Sequence, residues 1–232
     1  MRRWLGRHMM PLVALATFEA VVIPFARQVP GQLALGTALL LLYWLVEWRG
    51  VRGEVEGRVP RHWLVISSRA AWVGGLVLCL VDALWLRWTP ATWQGPAVRV
   101  AGVLLYLAAL ALRYWSMRTL DRAFSYDLKV SADQVLVTRG PYRIVRHPSY
   151  TALILWSASF ALWNPSWPGL LVLLVSTIPQ IVYRVGQEER LLAAHFGDQW
   201  ASYAGRTPAL LPRVLRRTAG SAGAAAGRRR DA

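Results

Sequence analysis

The chain has 232 residues, 55% of them apolar, with 13 Trp and a net charge of +15. The basic residues lie between long apolar runs rather than on one patch, which disfavours a soluble nucleic-acid-binding protein and fits the charge pattern of a membrane protein. A single cysteine, Cys79, sits inside an apolar run and excludes an internal disulfide or a Cys-rich metal site.

Apolar runs follow one another at 9–25, 33–48, 63–86, 97–115, 149–163 and 167–183. A helix needs about 20 residues to cross roughly 30 Å of hydrocarbon. In lipid the backbone must satisfy its own hydrogen bonds, which a helix does locally. The expected fold is therefore an all-α integral membrane protein with about six hydrophobic helical segments. The N-terminus, MRRWLGRHMM, has the charge order of a signal peptide, but Glu19 within the first run and the spans after it point to an uncleaved first helix. Only Asn164, Pro165 and Ser166 part the last two runs, and Pro168 follows. Asn-Pro favours a turn and each proline removes a backbone donor, so these runs are read as a short helical hairpin. Its first arm is short for a full span.

With those runs as spans, 22 Lys and Arg fall on one side and 3 on the other, counting Arg99 at the start of the fourth run. That bias places both termini, the loop after the fourth run and the segment after the sixth in the cytoplasm. The loop 116–147 is long enough to carry function or structure of its own. Loose alternation at 124–130 and 135–138 suggests a short hairpin of strands there. The stretch 184–203 reads as an amphipathic helix along the interface, and 213–232 as a disordered basic tail able to touch anionic lipid. The chain divides into an N-terminal scaffold (1–115), a core with a cofactor-binding loop, hairpin and amphipathic helix (116–212), and the tail (213–232).

Chemistry concentrates in 136–150, LVTRGPYRIVRHPSY. Pro148 is pre-organised for the first turn of a helix. The bland reading of Arg146, His147 and Pro148 is a basic helix start at the lipid headgroups. The sharper reading uses the N–H groups of that helix start to hold a carboxylate or polar cofactor, with Tyr142 and Tyr150 offering ring faces to a purine or a cation. Arg184 and Glu188 lie one turn apart just after the sixth run. They are either an ordinary i,i+4 pair or a substrate clamp, since a guanidinium matches the two oxygens of a carboxylate. Glu19, Arg69 and Asp82 fall inside apolar runs, where charge is expensive unless paired or wet. Glu19 and Arg69 lie at comparable depth and are candidates for a pair, with snorkelling of Arg69 to the surface as the alternative.

These elements resemble the isoprenylcysteine carboxyl methyltransferase family of integral membrane enzymes. The resemblance rests on 136–150, on Asn164-Pro165, on Arg184-Val185-Gly186-Gln187-Glu188-Glu189, on His195-Phe196-Gly197, on Tyr203 and on the prolines Pro208 and Pro212. It covers roughly the C-terminal half. It implies methyl transfer from S-adenosylmethionine to a carboxylate on an isoprenylcysteine-like or other lipophilic substrate, with the active site cytoplasmic. The cofactor pocket it implies comprises Gln134, Val135, Leu136, Val137, Tyr142, His147, Pro148, Ser149 and Tyr150. Arg184 and Glu188 match the family's candidates for orienting substrate. Neither a general base nor a metal is implied, because a carboxylate is already ionised near neutral pH. The implied partners are a lipophilic or prenylated substrate and membrane lipid, with no nucleic acid.

Four positions depart from the family pattern: Gln134 stands where His is frequent, Ala152 where Gly is common, Trp200 in place of the first of two tyrosines, and Asp121 where a Leu-Gly pair is often seen. The Arg and Ala content points to a bacterial membrane as the setting. Other readings stay open. One is a methyl acceptor that is a thiol, a phospholipid amine or an isoprenoid acid. A second is an NADPH-dependent sterol-type reductase, which shares an RHP-Tyr element, although the residues after Tyr150 are uncharged here. A third is a membrane protein without activity.

Overall fold

The computed structural model describes residues 30–50, 63–124 and 134–212, together with the single positions Ala16 and Ala20. Six α-helices of at least nine residues lie among them: α1 (Pro30–Gly50), α2 (Trp63–Val81), α3 (Pro96–Leu120), α4 (Pro148–Trp163), α5 (Trp167–Phe196) and α6 (Asp198–Arg206). No strand occurs among the described residues. The expected pair of strands finds no support at 135–138, and 125–133 lies outside the described residues. Glu19, the side chain of Arg69 and the tail from 213 onward also lie outside them.

Prolines set several helix starts. Pro96, Pro148 and Pro168 each occupy the first turn of α3, α4 and α5, where a missing N–H is no loss. Ser166 caps α5, its hydroxyl accepting from the Gly169 amide at 3.1 Å. Asn164, Pro165 and Ser166 lie buried between the end of α4 and the start of α5.

Two boundaries differ from expectation. Helix α3 runs five residues beyond 115, to Leu120. Helix α5 does not stop at Tyr183 but continues to Phe196. The expected interfacial helix over 184–203 is therefore two pieces, the end of α5 and then α6 after a break at Gly197. The reason is local: 184–196 holds strong helix formers and no glycine or proline beyond Gly186, so the apolar helix runs straight on into its polar extension.

The helices pack α3 on α4, α2 on α5, α4 on α5 and α1 on α3. The shared core is aromatic at its centre. Trp156 stacks on Tyr43 at 4.6 Å and on Trp72 at 5.1 Å between ring centroids. Side-chain hydrogen bonds tie the helices across the core: Tyr106 donates to the Leu39 carbonyl (2.8 Å), and Trp72 donates to Ser157 (3.2 Å), whose hydroxyl also meets Thr177 (3.2 Å). On the outside, Val100, Leu104 and Leu107 of α3 and Leu171, Val175, Ile178 and Val182 of α5 form exposed apolar stripes at helical spacing. These two helices are long and apolar enough to cross a membrane.

At one end of the bundle a wide helical turn, Asp82–Leu86, closes α2. The wholly buried Asp82 accepts from the Trp88 amide (2.7 Å) and from the Thr89 hydroxyl (2.6 Å). Thr89 in turn accepts from the Trp167 amide at the start of α5 (3.0 Å). This gives Asp82 a structural role, since its buried oxygens are filled by the connection they brace.

Helices α3 and α4 approach most closely at Gly102. A Cβ there would collide with the backbone of Leu162 and Trp163, the first at 2.8 Å. Gly74, in contrast, faces open space. Gly102→Ala is expected to lower stability in detergent by about 1–3 kcal/mol, as overpacking does. Gly74→Ala should be neutral or raise it by about 0.5–1 kcal/mol. Thermal unfolding of the two purified variants checks the contrast.

Candidate active site

At the other end of the bundle the start of α4 meets the end of α5. Arg146 reaches across to Glu189, donating to one carboxylate oxygen from Nε (2.9 Å) and Nη2 (2.7 Å). Its Nη1 donates to the carbonyls of Ala204 (2.8 Å) and Thr207 (2.6 Å). The backbone follows suit. The amides of Arg146 and His147 donate to the carbonyls of Pro208 (2.8 Å) and Ala209 (2.9 Å), and the Thr151 hydroxyl donates to that of Leu210 (2.8 Å). Residues 204–210 are thereby strapped along the helix start. Trp200 lies under the Arg146 guanidinium, 5.9 Å from ring centroid to Cζ.

His147 is buried between two adjacent carboxylates. Its Nε2 lies 3.1 Å from Glu189 Oε1 and its Nδ1 lies 3.9 Å from Glu188 Oε2. Its ring meets that of Tyr150 at 5.8 Å. The Tyr150 phenol lies beside both Arg184 and Glu188. Residues some forty positions apart thus make one polar cluster.

The third wall is the polar half of α3. Tyr142 is buried against it, its hydroxyl reaching the Ser116 carbonyl at 3.4 Å. The Tyr142 carbonyl accepts from Tyr203 at 2.6 Å. Burial, reinforced by the Glu188 charge, pushes the Tyr142 phenol far above its ordinary range, and burial pushes Tyr203 up to about 12. Both stay neutral donors at physiological pH. Gly140 turns the chain into this wall with φ of 60°, and a Cβ there would meet Thr119 at 3.1 Å. Beneath it Arg113 pairs with Glu47 of α1 (2.8 and 3.3 Å) and donates to the Ser149 hydroxyl.

Of the residues singled out from sequence, Tyr142, His147, Pro148, Ser149, Tyr150, Arg184 and Glu188 all lie on these walls. Ser149 turns its hydroxyl inward to Arg113. Gln134, Val135, Leu136 and Val137 lie in an irregular stretch leading to Gly140, with Val135 exposed. The helix start is not a bare row of donors. Pro148 has none, and the amides of Tyr150 and Thr151 return to the His147 carbonyl (both 3.1 Å). A ligand there meets side chains rather than open amides.

Sequence reasoning named Arg146, Glu189 and Tyr203 without giving them a role in the site, and gave none to Arg113 and Glu47. For the last two a signal existed, since each is an ionisable residue within an apolar run. Glu189 entered only within the segment that carries the resemblance.

Residues 97–199 match the model of the phospholipid methyltransferase family. Similar proteins include protein-S-isoprenylcysteine O-methyltransferase B of Arabidopsis thaliana, 30% identical over 49% of this chain and 58% of the relative. The protein-S-isoprenylcysteine O-methyltransferase of Rattus norvegicus is 27% identical over 63% of this chain and 50% of its own length. The cobalt-zinc-cadmium resistance protein CzcN of Cupriavidus metallidurans is 30% identical over 55% of each. The chain spans about half the length of the curated relatives it matches. A solved eukaryotic intramembrane Ras methyltransferase, isoprenylcysteine carboxyl methyltransferase, aligns over 88% of this chain and 97% of its own, at a TM-score of 0.47 and 16% identity. The family match takes in the 136–150 segment, the hairpin and the Arg184–Glu189 segment.

Removing Glu189 tests how the site is held. Charge-assisted hydrogen bonds contribute about 1.5–3 kcal/mol each. Glu189→Ala is therefore expected to speed hydrogen exchange at the Arg146 and His147 amides by about 10- to 100-fold, as the strap 204–210 opens locally. Unchanged exchange at both amides would show that the strap holds without the ion pair.

Proposed function

We propose that the chain is a membrane methyltransferase that uses S-adenosylmethionine to methylate a carboxylate on an isoprenylcysteine-like or other lipophilic substrate. The carrying observation is the meeting of His147 and Tyr150 with Arg184, Glu188 and Glu189 in one cluster at the end of two apolar helices. The family match and the isoprenylcysteine methyltransferases among the relatives support the reaction class.

The donor set suits a cationic, zwitterionic cofactor. Tyr142 and Tyr150 provide ring faces, and Glu188 and Glu189 provide negative charge, which together favour a sulfonium and an ammonium. Gln134, Val135, Leu136 and Val137, with His147, Pro148 and Ser149, complete the proposed cofactor side. When bound, S-adenosylmethionine supplies an electrophilic methyl group. The rest falls to this chain. Arg184 orients the acceptor carboxylate through its paired donors. Glu188 and the Tyr150 phenol hold Arg184 in place. The strap 204–210 and Tyr203 fix the helix start so that the reacting atoms stay aligned, which is a problem of positioning. A carboxylate is already ionised near neutral pH, so no general base is needed.

The exposed apolar stripes on α3 and α5 support a site beside lipid, where a lipophilic substrate is concentrated. We assign the site to the cytoplasmic face and a multi-pass chain to a bacterial membrane, on the distribution of Lys and Arg and on composition. A phospholipid amine is a second acceptor, favoured by the description of the matched family and by the acidic pair Glu188 and Glu189.

Binding of S-adenosylhomocysteine to the detergent-purified chain, followed by labelled-methyl transfer into a lipid extract, tests the reading and identifies the acceptor. His147→Ala and Tyr150→Ala are each expected to weaken S-adenosylhomocysteine by roughly tenfold or more, since each loses about 1.4 kcal/mol or more of contact. Arg184→Ala should leave that affinity within a few-fold while abolishing turnover of a carboxylate. Normal affinity in both of the first variants, or normal turnover in the third, contradicts these assignments.

A further inference from the structure

The buried charges of α1 and α3 have no part in the site as described so far. Glu47 and Arg113 are each 5% exposed, and their fork of 2.8 and 3.3 Å joins the two helices. A charge at this depth in an apolar helix is expensive unless it is paired. Pairing alone does not explain the arrangement, because a buried ion pair can be replaced by packed apolar side chains with little loss of stability. The direction of the remaining guanidinium donor is informative. Nη1 of Arg113 goes to the Ser149 hydroxyl, on the second residue of α4. The next residue is Tyr150, which contacts Arg184 and Glu188. One turn along α3, the Ser116 carbonyl accepts from Tyr142, and further on Thr119 backs Gly140. On its other side Arg113 lies 5.5 Å from the centroid of Phe124, which ends the described stretch after α3.

We propose that Arg113, clamped by Glu47, is a positioning residue of the methyl-transfer site, setting where the α4 helix start sits relative to Arg184 and Glu188. This rests on the function proposed above and deepens it. Arg113 touches no reacting atom. It acts through Ser149, whose backbone carries His147 and Tyr150 on either side of the Pro148 turn. Glu47 lies on α1, before the matched family region begins at residue 97. The N-terminal helices therefore do more than anchor the chain: α1 supplies the carboxylate that fixes the orientation of the Arg113 fork. A guanidinium is required for this and an ammonium is not sufficient, because the planar fork spans Glu47 and Ser149 at once.

The test uses the full chain in detergent or nanodiscs, with S-adenosylhomocysteine affinity, KM, kcat and thermal midpoint measured together. Arg113→Lys keeps the charge opposite Glu47 but loses the planar fork. Ser149→Ala removes the acceptor and leaves the ion pair intact. Each is expected to lower kcat/KM by roughly 10- to 100-fold, the scale of a misplacement of about 1 Å remote from the chemistry. The double variant should lose no more than the worse single variant, because both break one link. A merely structural Arg113 would move the thermal midpoint and leave that non-additivity absent. Singles within twofold of wild type, or losses that multiply in the double variant, overturn the proposal. If Arg113→Lys does not fold, Ser149→Ala paired with Glu47→Gln decides in the same way. Wild-type binding and turnover with unaffected variants sink the positioning role alone. A wild type that neither binds S-adenosylhomocysteine nor transfers methyl sinks the function and this role with it.

Discussion

The ion pair between Arg146 and Glu189 determines where the two halves of the site meet. Three nitrogens, two from Arg146 and Nε2 of His147, converge on a single carboxylate oxygen of Glu189. The two side chains are 14% and 28% exposed, so the pair is neither screened like a surface bridge nor stripped of water like a core one. Its geometry also reaches beyond the pair. With Nη1 committed to two carbonyls of the strap, one guanidinium fixes the start of α4, the end of α5 and the segment 204–210 together. A hairpin tip some way off cannot do this. Asn164 to Ser166 holds α4 and α5 side by side but leaves their far ends free to splay.

That far-end constraint explains why α5 is long. A helix ending at Tyr183 would stop before it could carry Arg184, Glu188 and Glu189 to His147. By running on to Phe196, α5 brings these side chains past its apolar section on a rigid rod, and α6 then folds back so that Trp200 and Tyr203 cover Arg146 and Tyr142. Sites on regular elements hold geometry more tightly than sites on loops, which is what the proposed in-line transfer needs.

Much of this was legible in the sequence because it depends on local rules. Apolar runs and prolines mark α3, α4, α5 and the hairpin turn, and the segments around His147 and Glu188 stand out as polar chemistry flanking that hairpin. The errors came where a local rule had no break to act on. Nothing in 184–196 signals a helix end, so a split imposed at the edge of hydropathy was artificial. Glu189 was passed over in favour of Glu188 because spacing along one helix ranks neighbours by sequence. Which of two adjacent carboxylates faces His147 depends on how α5 is rotated against α4, and only packing sets that. Arg113 and Glu47 belong to another class. Each is conspicuous as a charge in an apolar run, yet their partnership joins α1 to α3 and has no sequence spacing to reveal it.

The two ends of the bundle also differ in how they are closed. At the Asp82 end, a carboxylate is consumed entirely within the chain, with both oxygens filled by the connection before α3 and Thr89 passing the constraint to the first turn of α5. At the His147 end, acidic groups gather around a buried imidazole and a phenol, and Glu188 remains 36% exposed. A carboxylate used only for bracing is expected to be buried with its acceptors filled, as Asp82 is. Glu188 is instead left facing solvent at the rim of the same cluster that contains Arg184. Two carboxylates in one fold thus follow opposite rules, and the difference lies in what surrounds them rather than in the residue type. This asymmetry between the ends, one sealed and one with charge held at its edge, is what supports the proposed site at the junction of α4 and α5.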